Sequence, residues 1–372
     1  MKIAYLSRGH SVYDRRFLEK MVERGHQPTL ISYFPSEKVQ VMGVPVLHYD
    51  ITSLLRFPRL SSFQIAWHLR GVLKELAPDV LHTGWVNDCG FYGALSGFHP
   101  MLSMPWGSDV LVFPDHSYST RWIVRFVLRR ADRIACDCQT VRNKIIELSG
   151  CQADKIVVFP WGVDLSVFRP LEGPSRIRQQ LRWEENQILI MTRVFKPIYG
   201  IEYFIETLPM VIAQRPKARV VLVGSGPLEA SYRRRIKELG LERYVHFAGW
   251  MDERGMAAYL NAADIYVTTS LSDGTSCSLL EAMACGLPVV VSDAPAYFEW
   301  VEDGGNGYIV PRKDSVVLSE RLVELLGDGD LRQAMGEHNL QLSRERADWD
   351  KNFDKLERLY NELVFSHSAK RS

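Results

Sequence analysis

Short runs of β-branched and aromatic residues alternate with longer helical patterns along the whole chain. Alternation of this kind is the signature of parallel βα units, in which each strand is followed by a helix. The predicted strands span residues 2–7, 28–34, 44–50, 79–84, 101–106, 133–138 and 155–161 in the first half, and 188–194, 219–226, 245–250, 264–270, 288–293 and 307–311 in the second. Each half therefore predicts a complete doubly wound sheet, and the chain is expected to be an α/β protein with two Rossmann-like domains.

The stretch PWGVDLSVFRPLEGPSR (160–176) separates these halves and contains three prolines and two glycines. It is interpreted as an interdomain linker, and the alternative is a surface loop within a single domain. A chain of 372 residues is long enough for two domains. The expected domains are 1–168 for the acceptor and 169–345 for a nucleotide sugar, and a C-terminal helix within 346–372 is expected to cross back to the first. Facing each other, two such sheets would form one cleft at the carboxyl ends of their strands.

The composition is that of an ordinary soluble protein, with 24% charged residues and a formal net charge of +1. The near-neutral charge, without a basic run interleaved with aromatics, argues against nucleic acid as a partner. The six cysteines form no CxxC pair, which predicts free thiols in a reducing compartment. The first ten residues are too poor in apolar residues for a signal peptide, and no run is long enough to span a membrane. A cytoplasmic location is therefore expected.

The turn LVGSGP (222–227) runs from a hydrophobic strand into a helix. Gly224 and Gly226 would let the backbone approach a ligand closely, and a helix N-terminus favours anionic groups. The turn lacks the GxGxxG pattern, so a dinucleotide is not indicated. A tight βα turn that binds no ligand is an equal alternative.

The segment SDGTSCSLLEAMACGLPVVVSD (272–293) predicts a loop after a strand, then a helix. Small residues leave the loop amides accessible beside the helix start, a cradle for a phosphate or a sugar. These residues are Gly274, Thr275, Ser276 and Cys277. Asp273 and Glu281 flank the cradle, and their carboxylates would accept hydrogen bonds from sugar hydroxyls. The alternative is that Asp273 caps the helix and Glu281 is an exposed helix residue.

Two basic residues follow the first strand of the second half, in MTRVFKPIYG (191–200). Arg193 and Lys196 would lie at the carboxyl end of that strand and face the cleft. A guanidinium can clamp a phosphate and stabilise the charge that grows on a leaving diphosphate. The alternative for each residue is solvated surface.

Residues 119–134 predict an amphipathic helix with arginines at 121, 125, 129 and 133. Trp122, Ile123, Phe126 and Val127 lie between them, so the helix would suit anionic lipid headgroups in a peripheral membrane contact. Basic residues also outnumber acidic ones in the first 170 residues. The alternative is a surface helix that packs its apolar side on the sheet.

The segment 272–310 resembles the signature region of glycosyltransferase family 4, the retaining group 1 glycosyltransferases of GT-B fold. The family motif has two acids separated by seven residues and followed by AMAxGxPVV, which Asp273, Glu281 and the run Ala282–Val290 match. Weaker likeness covers nearly the whole chain. It lies in ERGHQPTLIS (23–32), RADRI (130–134), PWGVDLSVF (160–168), LVGSGP (222–227) and FAGWMDERGMAAYLNAADIYV (247–267).

The resemblance implies a role for each residue of the second half. Glu281 would bind the ribose of a nucleotide diphosphate sugar and Asp273 the hydroxyls of its sugar. The backbone of 274–277 would hold the sugar and diphosphate, Arg193 would neutralise the departing diphosphate, and Met251 would lie near the base. Transfer in this family retains the anomeric configuration and needs no bound metal, so no cofactor besides the donor substrate is expected.

The sequence departs from the family pattern at three positions. Asp273 replaces the more usual Glu, and Ile198 stands where relatives commonly have a lysine, which makes Lys196 a substitute. In the first half, Trp106 occupies the place of a histidine that contacts the sugar, and a stacking aromatic could replace that contact. Asp109 could orient the acceptor hydroxyl or, alternatively, cap the next turn. His82 is expected to face the cleft because it lies near a strand end.

The sequence thus predicts a glycosyltransferase that moves a sugar from a nucleotide sugar to an acceptor hydroxyl in polysaccharide, glycolipid or other glycoconjugate synthesis. A lipid-linked saccharide, a growing polysaccharide and a small metabolite all fit as acceptors. A non-catalytic nucleotide-sugar-binding protein is the main alternative. A nicotinamide-dependent oxidoreductase is a weaker one, because the GxGxxG signature is absent.

Overall fold

The structure is a computed structural model that describes residues 1–9, 11–33, 41–50 and 61–371. The chain divides into two compact units, and the second is inserted into the first. Unit 1 comprises Met1–Phe159 and Phe353–Ser372, and unit 2 comprises Pro160–Asn352. Each unit is built on one parallel sheet.

Unit 1 contains a seven-stranded parallel sheet with the order β3-β2-β1-β4-β5-β6-β7. Its strands are β1 (Lys2–Leu6), β2 (Gln27–Ser32), β3 (Val46–His48), β4 (Val80–Gly84), β5 (Met101–Met104), β6 (Arg133–Cys136) and β7 (Ile156–Val158). Its helices are α1 (Val12–Glu23), α2 (Ser61–Leu76), α3 (Cys89–Ser96), α4 (Ser108–Leu111), α5 (Tyr118–Arg130) and α6 (Gln139–Ser149), and most of α14 (Trp349–Arg371) belongs to it as well.

Unit 2 contains a six-stranded parallel sheet with the order β10-β9-β8-β11-β12-β13. Its strands are β8 (Gln187–Thr192), β9 (Ala218–Val223), β10 (Val245–Gly249), β11 (Ile265–Thr268), β12 (Val289–Ser292) and β13 (Gly307–Val310). Its helices are α7 (Arg176–Leu181), α8 (Ile201–Gln214), α9 (Glu229–Glu238), α10 (Glu253–Ala262), α11 (Cys277–Ala284), α12 (Ser315–Gly327) and α13 (Gly329–Arg346).

Each of the thirteen predicted runs overlaps one of these strands, and ten of the runs contain the whole strand, so the predicted strand pattern is confirmed. The strands are shorter than most runs because the runs extended into the loops that follow; position 34 of the second run lies outside the described residues. Strand side chains alternate between two cores in unit 2. Leu189 packs on one face of the sheet and Ile190 on the other, as the two-residue period of a strand requires.

The strand orders create one switch point in each sheet, where successive connections leave in opposite directions. In unit 1 the switch lies between the neighbouring strands β1 and β4, and in unit 2 between β8 and β11. Loops diverge at such a point and leave a crevice at the carboxyl ends of the strands, where ligands bind in open α/β sheets. The loops after these four strands are therefore where a site is expected.

The chain passes between the units twice, at 159/160 and at 352/353. Residues near these crossings are joined by backbone hydrogen bonds within unit 2: Val163 N–H donates to Ala347 O at 2.7 Å and Trp349 N–H donates to Val163 O at 3.1 Å. Gly162 has φ +84°, and a Cβ there would lie 2.7 Å from Ala347 O. The proline-rich stretch therefore begins as a tightly packed segment instead of a free loop.

Most of helix α14 belongs to unit 1, and its side chains Phe353, Leu356 and Tyr360 are buried. Within the described residues no helix is long and apolar enough to cross a membrane. The cysteines are free thiols as predicted, five of them buried and Cys151 partly exposed.

Candidate active site

Arg193 is the centre of a polar cluster at the switch point of unit 2. It follows β8 directly, and its Nη2 donates to Asp273 Oδ2 at 2.5 Å, to Ser276 Oγ at 2.6 Å and to Tyr297 OH at 2.7 Å. Its Nε lies 3.4 Å from Thr268 Oγ1 at the end of β11. Side chains from three neighbouring strand ends thus converge on one guanidinium.

The local structure explains how Ser276, Tyr297 and Asp273 reach the guanidinium of Arg193. Ser276 is the N-cap of α11, and its Oγ accepts from Leu279 N at 3.2 Å while it also accepts from Arg193. Tyr297 lies in a 3₁₀ turn after β12, and its hydroxyl donates to Asp273 Oδ2 at 3.0 Å. Asp273 is therefore held by Arg193 and Tyr297, and Ser276, not Asp273, caps the helix.

The Arg193–Asp273 pair is largely enclosed, with 9% and 18% of the side chains exposed. Burial disfavours the charged guanidinium, but the neighbouring Asp273 carboxylate and the surrounding tyrosines outweigh it and hold the pKa of Arg193 well above its ordinary value. Arg193 is a cation at every physiological pH.

The glycine turn after β9 packs against the backbone of Arg193. A Cβ on Gly224, which has φ +134°, would lie 2.1 Å from Arg193 O, and one on Gly226 would lie 2.7 Å from Phe195 O. Arg193 N–H donates to Val223 O at 3.0 Å and Phe195 N–H donates to Ser225 O at 3.0 Å. The glycines are needed for this close approach, so their visible function is to fix the segment that carries Arg193.

Glu281 lies on α11 and is only 9% exposed, so it is not the exposed helix residue of the alternative interpretation. Burial, followed by the charge of Glu281, raises the pKa of the Cys285 thiol to about 12. The residues of the loop cradle, Gly274, Thr275, Ser276 and Cys277, are all buried. A buried carboxylate next to a buried loop is costly without partners, which favours a built polar site.

The other two predicted donor-side residues lie outside the Arg193 cluster. Lys196 is exposed, and no hydrogen bond or ion pair of its side chain occurs among the described residues. Met251 is partly buried after β10, where it packs beside Gly255 at the start of α10.

The switch point of unit 1 carries a second arginine–aspartate pair. Arg8 follows β1 and donates through Nε to Asp88 Oδ2 at 2.8 Å, with a further bond from Nη2 to the same oxygen. The guanidinium lies over the ring of Trp85, 4.8 Å from its centroid. Trp85 has φ +54°, an uncommon backbone conformation for a tryptophan and one that tends to occur at functional sites.

Trp106 lies in the loop after β5, and Asp109 lies in the short helix α4 that follows this loop. Trp106 stacks on Trp85 with 6.2 Å between ring centroids and also packs against Tyr13 and Phe17. Asp109 is 1% exposed, and its two oxygens accept from the backbone of Val86 at 2.8 Å and of Trp106 at 2.9 Å. Burial raises the pKa of Asp109 to about 6, although the backbone bonds oppose that shift. These contacts tie together the loops after β4 and β5.

The expectation that His82 faces a cleft is wrong. His82 is the third residue of β4, fully buried, and its Nδ1 lies 2.5 Å from Tyr360 OH of α14. Its ring packs against Tyr5 of the neighbouring strand at 4.7 Å, and burial lowers its pKa to about 3. The strand-end rule applies to the loop after a strand, and His82 lies inside the strand, under α14.

Five polar or aromatic residues at the centre of these clusters were not predicted from the sequence: Arg8, Trp85, Asp88, Thr268 and Tyr297. A signal was present for three of them, because Arg8 and Asp88 follow β1 and β4 and Tyr297 follows β12. Searching every loop after a predicted strand for charged and hydroxyl-bearing side chains would have found these three.

Comparison with known proteins places both units in described families. Residues 2–138 match the family described as glycosyl transferase 4-like, and residues 175–341 match the glycosyl transferases group 1. The phosphatidyl-myo-inositol mannosyltransferase of Mycobacterium leprae is 31% identical over 182 residues, so the match spans 49% of this chain and about half, 48%, of that relative. The N-acetyl-alpha-D-glucosaminyl L-malate synthase of Bacillus anthracis is 24% identical over 96% of this chain and 94% of that protein.

Solved structures share the fold over nearly the whole chain. HepE of Anabaena in complex with UDP and glucose superposes with a TM-score of 0.84 at 20% identity, covering 98% of this chain and 100% of that one. The sucrose-phosphate synthase of Thermosynechococcus elongatus gives the same values. With the two family matches and the acid-x7-acid motif of α11, these likenesses show that the chain belongs to glycosyltransferase family 4, the group 1 glycosyltransferases of GT-B fold.

Proposed function

We propose that this protein transfers a sugar from a nucleotide diphosphate sugar to an acceptor hydroxyl, with retention of the anomeric configuration and without a bound metal. The observation that carries the proposal is the enclosed Arg193 cluster at the switch point of unit 2. A permanent cation fixed by three polar partners beside a helix N-terminus suits a diphosphate whose charge grows as it leaves.

The two carboxylate oxygens of Asp273 have different partners. Oδ2 accepts from both Arg193 and Tyr297, and no bond within the described residues occupies Oδ1. In our proposal Oδ2 orients the guanidinium, and Oδ1 accepts hydrogen bonds from the hydroxyls of the donor sugar. The shorter reach of Asp compared with Glu then matters less, because Arg193 and Tyr297 fix the position of the carboxylate.

The proposed reaction breaks the bond between the anomeric carbon and the diphosphate oxygen, and the bonding electrons leave with the diphosphate. Arg193 and the backbone amides at the start of α11 stabilise the departing anion. The acceptor oxygen bonds to the anomeric carbon on the face that the diphosphate leaves, which retains the configuration, and the proton of the acceptor hydroxyl passes to the departing diphosphate oxygen. Glu281 holds the ribose, and the cationic Arg193 takes the role that a metal ion plays in other transferases.

We assign the acceptor to the loops at the switch point of unit 1. The Arg8–Asp88 pair offers charged hydrogen-bonding groups and Trp85 an aromatic ring, a combination that suits a polyhydroxylated or anionic acceptor. One relative is named a phosphatidyl-myo-inositol mannosyltransferase and another an N-acetyl-alpha-D-glucosaminyl L-malate synthase. These names indicate acceptors of different chemical classes, so the assignment of the acceptor rests on the residues of unit 1.

A thermal-shift panel of nucleotide sugars tests the donor assignment. UDP-glucose and GDP-mannose come first, because those molecules are named for a solved relative and a curated relative. A true donor at a hundred times its dissociation constant should add about 2.7 kcal/mol to the unfolding free energy. We expect Glu281→Ala to abolish this shift.

Glu242→Ala is the matched control, because Glu242 is exposed and precedes β10, so it lies at the amino ends of the parallel strands and not at the carboxyl ends that carry the proposed site. An unchanged donor shift in Glu281→Ala would contradict the ribose assignment. With the donor known, the anomeric configuration of the product by proton NMR tests retention, and activity after treatment with EDTA tests metal independence. Donor binding with neither transfer nor donor hydrolysis would instead support a non-catalytic binding protein.

A further inference from the structure

Three helices of unit 1 lie on one face of its sheet. The connections β3-α2-β4, β4-α3-β5 and β5-α5-β6 all advance in the same direction along the strand order. Parallel crossovers are right-handed, so helices that advance in one direction cover the same face. Helix α3 packs against both α2 and α5. The sides of α2 and α5 that face away from the sheet therefore lie on the same side of unit 1.

These outward sides carry large aromatic side chains. Phe63 and Trp67 of α2 are 60% and 81% exposed, and Tyr118 and Trp122 of α5 are 94% and 58% exposed. Single exposed apolar residues are ordinary on a protein surface. Four large exposed aromatic side chains on two helices of one layer instead indicate an interaction surface.

The aromatics follow the helical repeat. Phe63 and Trp67 are four residues apart on α2, and Tyr118, Trp122 and Phe126 are spaced by four on α5. The rings of Trp122 and Phe126 stack with 5.3 Å between centroids at 13°, and Phe91 of α3 meets the ring of Trp122 edge-on. The exposed ring of Trp122 is thus held in place by two neighbouring rings.

The same surface is cationic. Helix α5 contains four arginines and no acidic residue, at positions 121, 125, 129 and 130. Arg125 is exposed between Trp122 and Arg129 and makes no hydrogen bond or ion pair within the described residues. On α2, Arg70 and Lys74 are exposed on the turns after Trp67. We call Phe63, Trp67, Tyr118, Trp122 and Arg125 the aromatic–basic face.

We propose that unit 1 docks on an anionic phospholipid bilayer through the aromatic–basic face. Amphipathic rings suit the headgroup level of a membrane, and guanidinium groups pair with phosphate there. The exposed rings stand on two separate helices of one layer. Arg121 pairs with Asp115 at 3.0 Å, but α5 itself contains no acidic residue and Arg125 has no partner within the described residues, a pattern that fits a broad anionic surface. This inference concerns a surface distinct from both switch points and does not depend on the transfer reaction.

Flotation of the full chain with vesicles tests the proposal. We expect binding to vesicles of phosphatidylcholine mixed with phosphatidylglycerol at low salt, and weak binding to phosphatidylcholine alone. The double variant Trp67→Ala, Trp122→Ala should lower the partition coefficient at least about tenfold, because burial of each large apolar side chain contributes that much. Arg125→Gln should lower it about fivefold, with the loss largest at low salt.

Matched controls lie in unit 2. Trp250 is 68% exposed, and Arg234 is exposed on α9, so Trp250→Ala and Arg234→Gln remove the same groups elsewhere. Both should bind vesicles like the unaltered chain. All five substitutions are at exposed positions, and thermal melts should coincide, so a loss of binding is not a loss of folding.

Three results would overturn the proposal. The first is no flotation of the unaltered chain with anionic vesicles at low salt. The second is equal binding by the Trp67, Trp122 double variant. The third is a concentration-dependent dimer, measured by light scattering, that the same double variant abolishes, because the aromatic–basic face would then serve a second copy of the chain.

Discussion

The two units place an arginine–aspartate pair at the same topological position and enclose it to different degrees. Arg8 follows β1 and pairs with Asp88 after β4, and Arg193 follows β8 and pairs with Asp273 after β11. In unit 1 the arginine side chain is 31% exposed and lies over Trp85. In unit 2 it is 9% exposed and has further hydroxyl partners, among them Tyr297.

This difference shows that the strand order brings loops together at each switch point, whereas the residues in those loops decide how enclosed the arginine is and which partners it has. The cluster of unit 2 is an enclosed, preorganised cation, which suits a diphosphate that is the same in every turnover. The pair of unit 1 is more open and has an aromatic neighbour, which suits an acceptor held by adaptable contacts. We infer that variants of the two arginines will separate donor from acceptor effects.

Arg193→Gln should have the largest effect. It removes the cation that faces the leaving diphosphate in the proposed reaction, and it leaves the largely enclosed Asp273 carboxylate with Tyr297 as its remaining partner. We expect kcat to fall about 100- to 1000-fold, the usual cost of removing one donor to a developing anion. Single-turnover kinetics with the donor from the thermal-shift panel measure this, and a kcat within threefold of the unaltered enzyme would remove Arg193 from the mechanism.

Gly224→Ala tests whether the glycine turn supports Arg193. The added Cβ would lie 2.1 Å from Arg193 O at a backbone φ of +134°, so we expect the unfolding free energy to fall by about 3 kcal/mol. Gly240→Ala is the control, because its φ is +68° and nothing lies within 4 Å of its Cβ; it should cost about 1 kcal/mol. Urea denaturation compares the two, and equal losses would show that the close approach does not matter.

His82 should make the protein sensitive to acid. Its folded-state pKa of about 3 lies below the ordinary 6.5, so the neutral ring's contribution to stability is complete above pH 6.5. It is lost as the pH falls toward 3, by about 1.4 kcal/mol per pH unit. Between pH 6.5 and 5 the unaltered protein should therefore lose about 2 kcal/mol more than His82→Gln. Urea denaturation at several pH values measures the unfolding free energy of both proteins. The expectation is refuted if this free energy changes with pH in the same way in the unaltered protein and in His82→Gln.

Arg8→Gln should have the smallest effect of these variants, and the effect should be confined to the acceptor. Loss of charged hydrogen bonds to the acceptor should lower kcat/KM for the acceptor about tenfold. The thermal shift by the donor should be unchanged, in contrast to a donor-side variant. A weakened donor shift in Arg8→Gln would break the assignment of unit 1 to the acceptor.

Much of the fold could be predicted from the sequence because the signals are local. The runs around β1 and β11 combine β-branched residues with neighbouring helical patterns, and every predicted run overlaps a strand. The acid-x7-acid motif of Asp273 and Glu281 predicts the donor side in the same way, since its residues are near neighbours in the chain.

The partners of those residues could not be read from the sequence, since Arg193 lies 80 residues before Asp273 and 104 before Tyr297. Their meeting depends on which strands are neighbours in the sheet. The burial of His82 depends likewise on α14, because Tyr360 is 278 residues away.

The sequence by itself determined the α/β class, the position of each strand and the family, because hydrophobic period and motif spacing are properties of neighbouring residues. Only the tertiary structure decided that Arg193 and Asp273 form a pair, that His82 is a core residue and that the aromatics of α2 and α5 are left exposed. Those outcomes depend on the order of strands in each sheet, which brings residues far apart in the chain into contact and sets which helix faces remain uncovered.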